Sequence, residues 1–195
     1  MGDNTATKQD TRPPTKGAPP GTPSDPSIVS HVENVWSGIL ARSRSANDPS
    51  GGIYGILIGS HATIISAARG RIVAHLPLSG VHLNSKSILH GAVSATLIDW
   101  SSGLAVASMG LDQTGVSTDM HISYVSTARG GDTLEIEAHV SKLGKTLAYT
   151  TVEIRKASPD GIGQGDIVTT GSHTKYLSFK PSPTQQTSPP ADAKS

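Results

Sequence analysis

Residues 83–110 read "LNSKSILHGAVSATLIDWSSGLAVASMG". From Gly91 onward the segment is apolar and rich in small residues, a pattern that predicts a helix. Asp99 lies near the middle of this predicted helix, although burying a carboxylate costs free energy unless another group pairs with it or uses it. The segment therefore predicts a long central helix and raises the question of what the acid is for.

Helical spacing determines which side chains share a face with Asp99, because each residue turns the helix by about 100°. The neighbours three, four and seven positions away are small or uncharged, and none can form a salt bridge: Ala92, Ala95, Thr96, Ser102, Gly103 and Val106. Bulkier side chains point elsewhere and suit a core: Val93, Leu97, Trp100 and Leu104. We expect a stripe with room for a partner subunit or a ligand. The simpler alternative is a solvated carboxylate, or one bonded to Ser102 or Thr96.

His90 and Gly91 stand at the front of the same helix. The first amides of a helix lack internal partners and carry partial positive charge, and glycine lets an oxygen approach them closely. Gly91 and Asp99 are separated by roughly 12 Å of helix rise, too far to serve one atom together. If both act on one substrate, the acid comes from a second copy of the chain. The pair also fits an ordinary loop-to-helix junction.

Alternating apolar residues predict strands on both sides of this helix. The stretch from Tyr54 to Leu78 is mixed, but its later part, "GRIVAHLPL", alternates; after the helix come "VSTDMHISYVS", "TLEIEAHV", "TLAYTTVEI" and "IVTTGSHTKYL". The first of these later strands places Val116, Met120, Ile122 and Tyr124 on one face. An amphipathic helix is predicted over residues 28–42. One long helix among about six antiparallel strands is an α+β pattern.

The composition limits the class of protein. Both ends are rich in proline and poor in large apolar side chains, so residues 1–26 and 181–195 are expected to be disordered around one domain, 27–180. The net charge is only +1, which disfavours a nucleic-acid partner. There is no cysteine, and the histidines show no metal-binding spacing, so no metal site is expected. The absence of a signal peptide or long apolar run predicts an intracellular protein with no membrane insertion.

Three segments together resemble the hotdog-fold acyl-CoA thioesterases of the PaaI-like branch: "NSKSILHGAVSATLIDWSSGLAVA", "GVSTDMHISYVSTARGGDTLEIEAHVSKLGKTLAYTTVEI" and "GSHTKYL". The likeness covers roughly residues 28–177 and excludes both tails. It implies a long helix wrapped by an antiparallel sheet, with two subunits joining sheets edge to edge and often pairing again into a tetramer. One departure is Ala92, where the family has a second glycine; alanine keeps the Gly91 amide and favours the helix.

The resemblance implies a catalytic set of five residues. Asn84 and the Gly91 amide correspond to the groups that polarise the thioester carbonyl. Asp99 corresponds to the carboxylate that activates water, acting from the opposite subunit. Ser117 corresponds to a serine that helps to position this water, and His90 to a histidine that organises the loop rather than carrying a proton.

The resemblance also implies a coenzyme A site at the turn "KLGKTL" and at two tyrosines. The residues concerned are Lys142, Leu143, Gly144, Lys145, Thr146 and Leu147, together with Tyr124 and Tyr176. Lysines beside a tight glycine turn suit the phosphates of a nucleotide. Taken without the resemblance, the same turn reads as an exposed hairpin with ordinary surface lysines.

The implied reaction is hydrolysis of fatty acyl-CoA to a free fatty acid and coenzyme A. Asp99 would act as a general base on water, or alternatively as a nucleophile that forms a mixed anhydride. Coenzyme A is part of the substrate, so no cofactor is expected, and relatives of this kind occur in the cytoplasm or in association with mitochondria. Two rivals keep the fold: a non-catalytic acyl-CoA or lipid binder, and a dehydratase.

Overall fold

Six antiparallel strands form one sheet in the computed structural model, which describes residues 16–44, 51–59, 61–158 and 165–177. The strands are β1 (Thr63–Ala68), β2 (Arg71–Pro77), β3 (Val116–Tyr124), β4 (Thr133–Leu143), β5 (Leu147–Lys156) and β6 (Ile167–Tyr176). Their order across the sheet is β1-β2-β4-β5-β6-β3. The helices are α1 (Pro26–Ser43), α2 (Gly52–Leu57) and α3 (Gly91–Ala107). Strands β1 and β3 therefore form the two edges.

Helix α3 is the predicted central helix, and it packs on the inner face of the sheet against β4, β5 and β6. It begins after His90, whose ring Nδ1 accepts a hydrogen bond from the Ala92 amide at 3.0 Å. The predicted core residues are buried: Val93, Leu97, Trp100 and Leu104. The long helix and the α+β arrangement are confirmed.

The small-residue stripe on α3 is open over only half of its length. Its C-terminal part is buried inside the chain, because Ser102, Gly103 and Val106 are all covered. A Cβ added to Gly103 would lie 2.8 Å from the Cβ of Thr114, so the following loop packs directly on the helix backbone there. The expected space above the stripe is therefore limited to the part that precedes Asp99.

Strands β2 and β4 follow the predicted alternation. The apolar residues Leu134, Ile136, Ala138 and Val140 of β4 are buried, as are Ile72, Ala74 and Leu76 of β2. The turn between β4 and β5 is closed by the Gly144 amide, which donates to the Leu147 carbonyl at 2.8 Å. A period of two, with one face on the core, is the pattern of a half-buried sheet.

Strand β3 departs from its predicted face at one residue. Ser117 pairs with Lys175, and Met120 pairs with His173. Ser117 and Met120 are three positions apart on β3, whereas Lys175 and His173 are only two positions apart on β6. The extra residue is a β-bulge at Thr118, which reverses the alternation. Met120, Ile122 and Tyr124 share the inner face as predicted, but the prediction for Val116 is wrong, because the bulge turns Ser117 inward in its place.

Helix α1 extends the predicted segment slightly at its N-terminus. Asp25 caps it by accepting a hydrogen bond from the Ser27 amide at 2.9 Å, and Pro26 begins the first turn, where proline is well tolerated. Val32, Val35 and Trp36 are buried, and the helix packs on β1 and α3.

The residues just before α1 are attached to the sheet. The Gly17 amide donates to the Val140 carbonyl at 2.9 Å, and the Asp25 amide donates to the Ala67 carbonyl at 2.8 Å. Both contacts fall within the segment 1–26 that composition assigns to a disordered tail, so residues 16–25 pack on the domain 27–180. Residues 1–15 and the second predicted tail, 181–195, lie outside the described residues.

Candidate active site

Both oxygens of the Asp99 carboxylate are hydrogen-bonded by side chains from other elements. Oδ1 accepts from Lys175 Nζ at 2.7 Å and from Ser117 Oγ at 3.0 Å, while Oδ2 accepts from Tyr54 Oη at 2.5 Å. About a third of the Asp99 side chain, 32%, remains exposed. Asp99 is thus a fixed, partly accessible acid held among α2, β3 and β6.

The alternative partners on the same helix are engaged elsewhere. Thr96 Oγ1 donates to the Ala92 carbonyl at 2.9 Å, and Ser102 Oγ accepts from Thr150 Oγ1 at 2.9 Å. The alternative of a carboxylate bonded to Thr96 or Ser102 is wrong, and the partly exposed Asp99 carboxylate is held by other partners rather than by water alone. Helical spacing correctly predicts that no residue of α3 forms a salt bridge with Asp99. The cation that does so is Lys175, on β6.

Sequence reasoning missed three residues of this cluster: Tyr54, His173 and Lys175. Lys175 is only 3% exposed, and His173 is buried with its Nε2 atom 3.7 Å from Asp99 Oδ1. Neither ring nitrogen of His173 has a hydrogen-bond partner among the described residues. The available signal was the spacing in "GSHTKYL", because residues two apart lie on the same face of a strand.

The charges in the cluster follow from these contacts. Burial raises the pKa of Asp99, but the hydrogen bonds from Lys175, Tyr54 and Ser117 together outweigh it, so the pKa lies below its usual value. Burial raises the pKa of Tyr54, as do the hydrogen bond to Asp99 and its charge, so Tyr54 remains a donor. Burial and the charge of Lys175 lower the pKa of His173. At neutral pH the cluster therefore contains ionised Asp99 and neutral Tyr54 and His173.

Gly91 forms a second polar centre at the other end of the exposed part of α3. The His90 ring takes the Ala92 amide, so it does not cap the Gly91 amide in the same first turn. The Tyr124 ring lies against Gly91: a Cβ added there would be 3.3 Å from Tyr124 Cε1. Tyr124 Oη donates to the Gly91 carbonyl at 3.3 Å.

A cavity of about 240 Å³ adjoins Gly91. It is lined by aliphatic and hydroxyl side chains: Ile88, Leu89, Ser94, Tyr124, Ser126, Thr127, Val168 and Thr169. Walls of this kind suit an uncharged chain with few polar groups.

Asn84 shapes the loop that leads to His90. Its Oδ1 atom accepts from the Lys86 amide at 2.9 Å and from the Ile88 amide at 3.4 Å. Because the oxygen is used within the loop, the Nδ2 amine is the donor that remains for another partner.

The residues predicted to bind coenzyme A fall into two groups. Lys142, Leu143, Gly144, Lys145, Thr146 and Leu147 form the β4–β5 turn, and Leu147 pairs with Tyr176 on β6. Tyr176 also pairs with Val116, so this turn lies near the Ser117 end of β3. Tyr124 lies at the opposite end of that strand, beside Gly91.

One chain thus presents two half-sites. Asp99, Ser117, the β4–β5 turn and Tyr176 occupy one end of β3, while His90, Gly91 and Tyr124 occupy the other. The structure brings the predicted residues together within each group but not between the groups.

The described part of the chain has neither a metal-binding cluster nor a helix that could span a membrane. Within residues 16–44, 51–59, 61–158 and 165–177, no cluster of three histidine, cysteine or acidic side chains could hold a metal ion. None of the helices in that part of the chain is long and apolar enough to cross a membrane.

Comparisons with known proteins identify the family of the chain. A model of the thioesterase superfamily matches residues 86–162. Acyl-coenzyme A thioesterase 13 of Homo sapiens is 38% identical over 115 residues, which cover 59% of this chain and 79% of that protein. The crystal structure of zebrafish thioesterase superfamily member 2 is 30% identical, with a TM-score of 0.63, and covers 75% of this chain and 98% of its own.

A third comparison concerns a bound ligand. A hypothetical thioesterase of Streptococcus pneumoniae, solved with coenzyme A, is 27% identical with a TM-score of 0.55, covering 61% of this chain and 87% of its own. The chain belongs to the thioesterase superfamily. The resemblance, the hotdog fold and the class of thioester hydrolase are confirmed.

Proposed function

We propose that the protein hydrolyses fatty acyl-CoA to a free fatty acid and coenzyme A. Two similar proteins support this proposal: the human relative is named acyl-coenzyme A thioesterase 13, and the Streptococcus pneumoniae thioesterase was solved with coenzyme A. The observation that carries the proposal is the Asp99 carboxylate, which is ionised, partly exposed and hydrogen-bonded to Ser117 at 3.0 Å. An ionised acid with a solvent path can take a proton from water.

We propose that the complete site forms between two subunits. Strand β3 pairs only with β6 in the described sheet and leaves its other edge open, with Val116 68% exposed and Tyr124 60% exposed. An open, partly apolar edge readily pairs with another strand. Antiparallel pairing of two β3 strands about a point near Met120 would bring the Ser117 end of one chain to the Tyr124 end of the other. Asp99 would then face the Gly91 amide of the second subunit.

In this arrangement the chemistry divides between the two half-sites. The Gly91 amide and Asn84 Nδ2 would donate to the thioester oxygen as it becomes negative, a form of stabilisation worth about 10²–10³ in rate per donor. Asp99 would remove a proton from water as the water oxygen bonds to the carbonyl carbon. Collapse of the tetrahedral intermediate would break the carbon–sulfur bond, and coenzyme A would leave as a thiolate that takes up a proton.

The substrate's nucleotide would lie on the β4–β5 turn. Lys142 and Lys145 are exposed there, on either side of Gly144, and can meet the phosphates as charge-assisted donors. Tyr176 adjoins the turn, and Tyr124 of the partner subunit would approach it across the paired β3 edges. Coenzyme A enters this scheme as part of the substrate, and the proposal uses no resident cofactor or metal.

A thiol-release assay with short, medium and long acyl-CoAs tests the proposal on wild type and Asp99→Asn. Loss of a general base lowers rate by about 10²–10⁴-fold, and we expect a decrease of this size for the variant. Asp112→Asn is the matched control, because Asp112 is an exposed aspartate in the loop after α3.

The assay has two informative failures. Folded wild type that binds acyl-CoA but releases no thiol would make the protein a binder rather than an enzyme. Activity of folded Asp99→Asn within about threefold of wild type would remove Asp99 from the reaction, because a general base contributes far more than that.

A further inference from the structure

Lys175 is a buried cation whose ammonium group points at the candidate catalytic carboxylate. It lies on the inner face of β6, in register with Ser117 on β3 and Ala148 on β5. The residue is only 3% exposed, and its Nζ atom lies 2.7 Å from Asp99 Oδ1. A lysine in this position cannot reach solvent, so its charge acts on Asp99.

The other groups that face Asp99 are neutral. Tyr54 approaches from α2, Ser117 from β3, and His173 from β6 beside Lys175. Burial lowers the pKa of His173 and keeps its ring uncharged at neutral pH. Asp119 is a second acid near His173 and adds negative charge rather than compensating that of Asp99. Lys175 is thus the positive charge that the described cluster supplies.

A lysine–aspartate pair with a buried lysine is a weak source of stability, because the cost of desolvating the charges offsets most of their attraction. Packing alone would be served as well by an apolar residue in place of Lys175. The ion pair has a clearer consequence for the acid itself: burial favours the protonated form of Asp99, and an opposite charge at hydrogen-bond distance reverses that preference.

We propose that Lys175 is a positioning residue, which keeps Asp99 ionised and holds its Oδ1 atom in place so that Oδ2 receives the proton from water. Tyr54 on Oδ2 then fixes the rotation of the carboxylate without preventing that transfer, because a carboxylate oxygen has two lone pairs. This inference rests on the proposed function for the role of Asp99 as the base.

The test compares Lys175→Gln and Lys175→Met, which remove the charge, with Lys175→Arg, which keeps it. Lys156→Gln is the matched control, because Lys156 also pairs with an aspartate, Asp132, at 3.6 Å, but at a distant end of β5. Two quantities are measured against pH: the carboxyl ¹³C signal of Asp99 in aspartate-labelled protein, assigned by its loss in Asp99→Asn, and kcat/KM for thiol release.

Removing the charge is expected to move the Asp99 titration upward by about 1–3 pH units, and the acid limb of kcat/KM by the same amount. Lys175→Arg should restore most of this shift, and Lys156→Gln should leave both curves unchanged. A purely structural lysine would lower the melting temperature without moving either curve. Unmoved curves in folded Lys175→Gln or Lys175→Met would overturn the proposal.

Both charge-removing variants could fail to fold, and a double variant covers that case. Lys175→Met combined with Asp99→Asn removes the unpaired charge, so we expect it to fold when Lys175→Met alone does not. If the double variant also failed to fold, Lys175 would be a packing residue and the proposal would be wrong. The ¹³C titration needs no activity, so it still tests Lys175 if the protein releases no thiol.

Discussion

Gly91 leaves space for the Tyr124 ring at the N-terminus of α3, and this space can be removed by one methyl group. Gly91→Ala places a Cβ 3.3 Å from the ring, so Tyr124 must move across the first amides of the helix. We expect kcat/KM to fall by up to about 10²-fold, as for an ångström-scale misplacement in an active site. Stability should hold or rise slightly, because alanine favours helices more than glycine does.

The matched control for this variant is Gly80→Ala, since a Cβ added at Gly80 has no atom within 4 Å. Thiol release and thermal melting are measured on both proteins. Full activity of Gly91→Ala would show that the position of the Tyr124 ring does not matter to the reaction, because alanine keeps the backbone amide.

The sequence identifies Asp99 itself but not its partners. An acid within an apolar, small-residue helix is anomalous in any sequence, and helical spacing shows that its own helix offers no cation. Tyr54 and Lys175 are 45 and 76 positions away, so only the tertiary fold brings them to the carboxylate. Local spacing therefore predicts that a special acid exists, whereas its electrostatics depend on how α2 and β6 pack.

At the scale of elements, long periodic segments were predictable and short ones were not. Helix α3 and strand β4 repeat their patterns over many residues, and both have the predicted buried faces. Helix α2 has only 6 residues and lies in the stretch whose pattern is mixed. The bulge in β3 is equally invisible to a period of two, because it is one additional residue without a distinctive side chain.

His82 joins α2 to the loop before α3, and this joint is expected to be sensitive to pH. Its buried Nε2 donates to the Leu57 carbonyl at the end of α2 at 2.9 Å, while Nδ1 accepts from the Ser79 amide at 2.9 Å. A second proton on Nδ1 would break the bond from Ser79, and burial lowers the pKa of His82. The folded protein therefore favours the neutral ring.

The stability that neutral His82 contributes is fully present above the pKa of histidine in the unfolded chain, about 6.5. It is lost as the pH falls from there towards the lower pKa of His82 in the folded protein. Urea unfolding at pH 7.5 and 5.5 measures it, and we expect the wild type to be less stable at the lower pH. His82→Gln should reduce this difference without abolishing it, since His173 contributes with the same sign. His121→Gln, at an exposed position, is the control, and equal differences in both variants would exclude His82.

At the scale of the whole molecule, the proposed site depends on a second copy of the chain. Met120 is 40% exposed on the open edge strand β3, close to the proposed centre of pairing. Met120→Lys would place like charges opposite each other across two β3 strands, which disfavours their pairing. We expect the sedimentation coefficient to fall from that of a dimer to that of a single chain, with thiol release falling in proportion to the dimer that remains.

Ile65→Lys is the matched control, because Ile65 is 50% exposed on β1, at the opposite edge of the sheet. It should leave mass and activity unchanged. A single-chain form of Met120→Lys with full activity would contradict a shared site.

The roughly 12 Å of helix rise between Gly91 and Asp99 already argues for two subunits from the sequence alone. The proposed pairing edge rests on the sheet order, which places β3 at one of the two edges, and on Ser117 and Tyr124 lying at opposite ends of that strand.

The direction of the Ser117 hydroxyl depends on the number of residues between Ser117 and Met120, which the bulge at Thr118 increases by one. Deleting Thr118 would remove no group that contacts Asp99, and it would leave the register from Met120 to Tyr124 free to form as before. The shortened strand would place Ser117 two positions before Met120, so strict alternation would keep both side chains on the inner face and Val116 outside. A single-codon deletion at Thr118 is therefore expected to leave the serine beside the acid, whereas closing the bulge without shortening the strand would turn the serine outward and bring Val116 in.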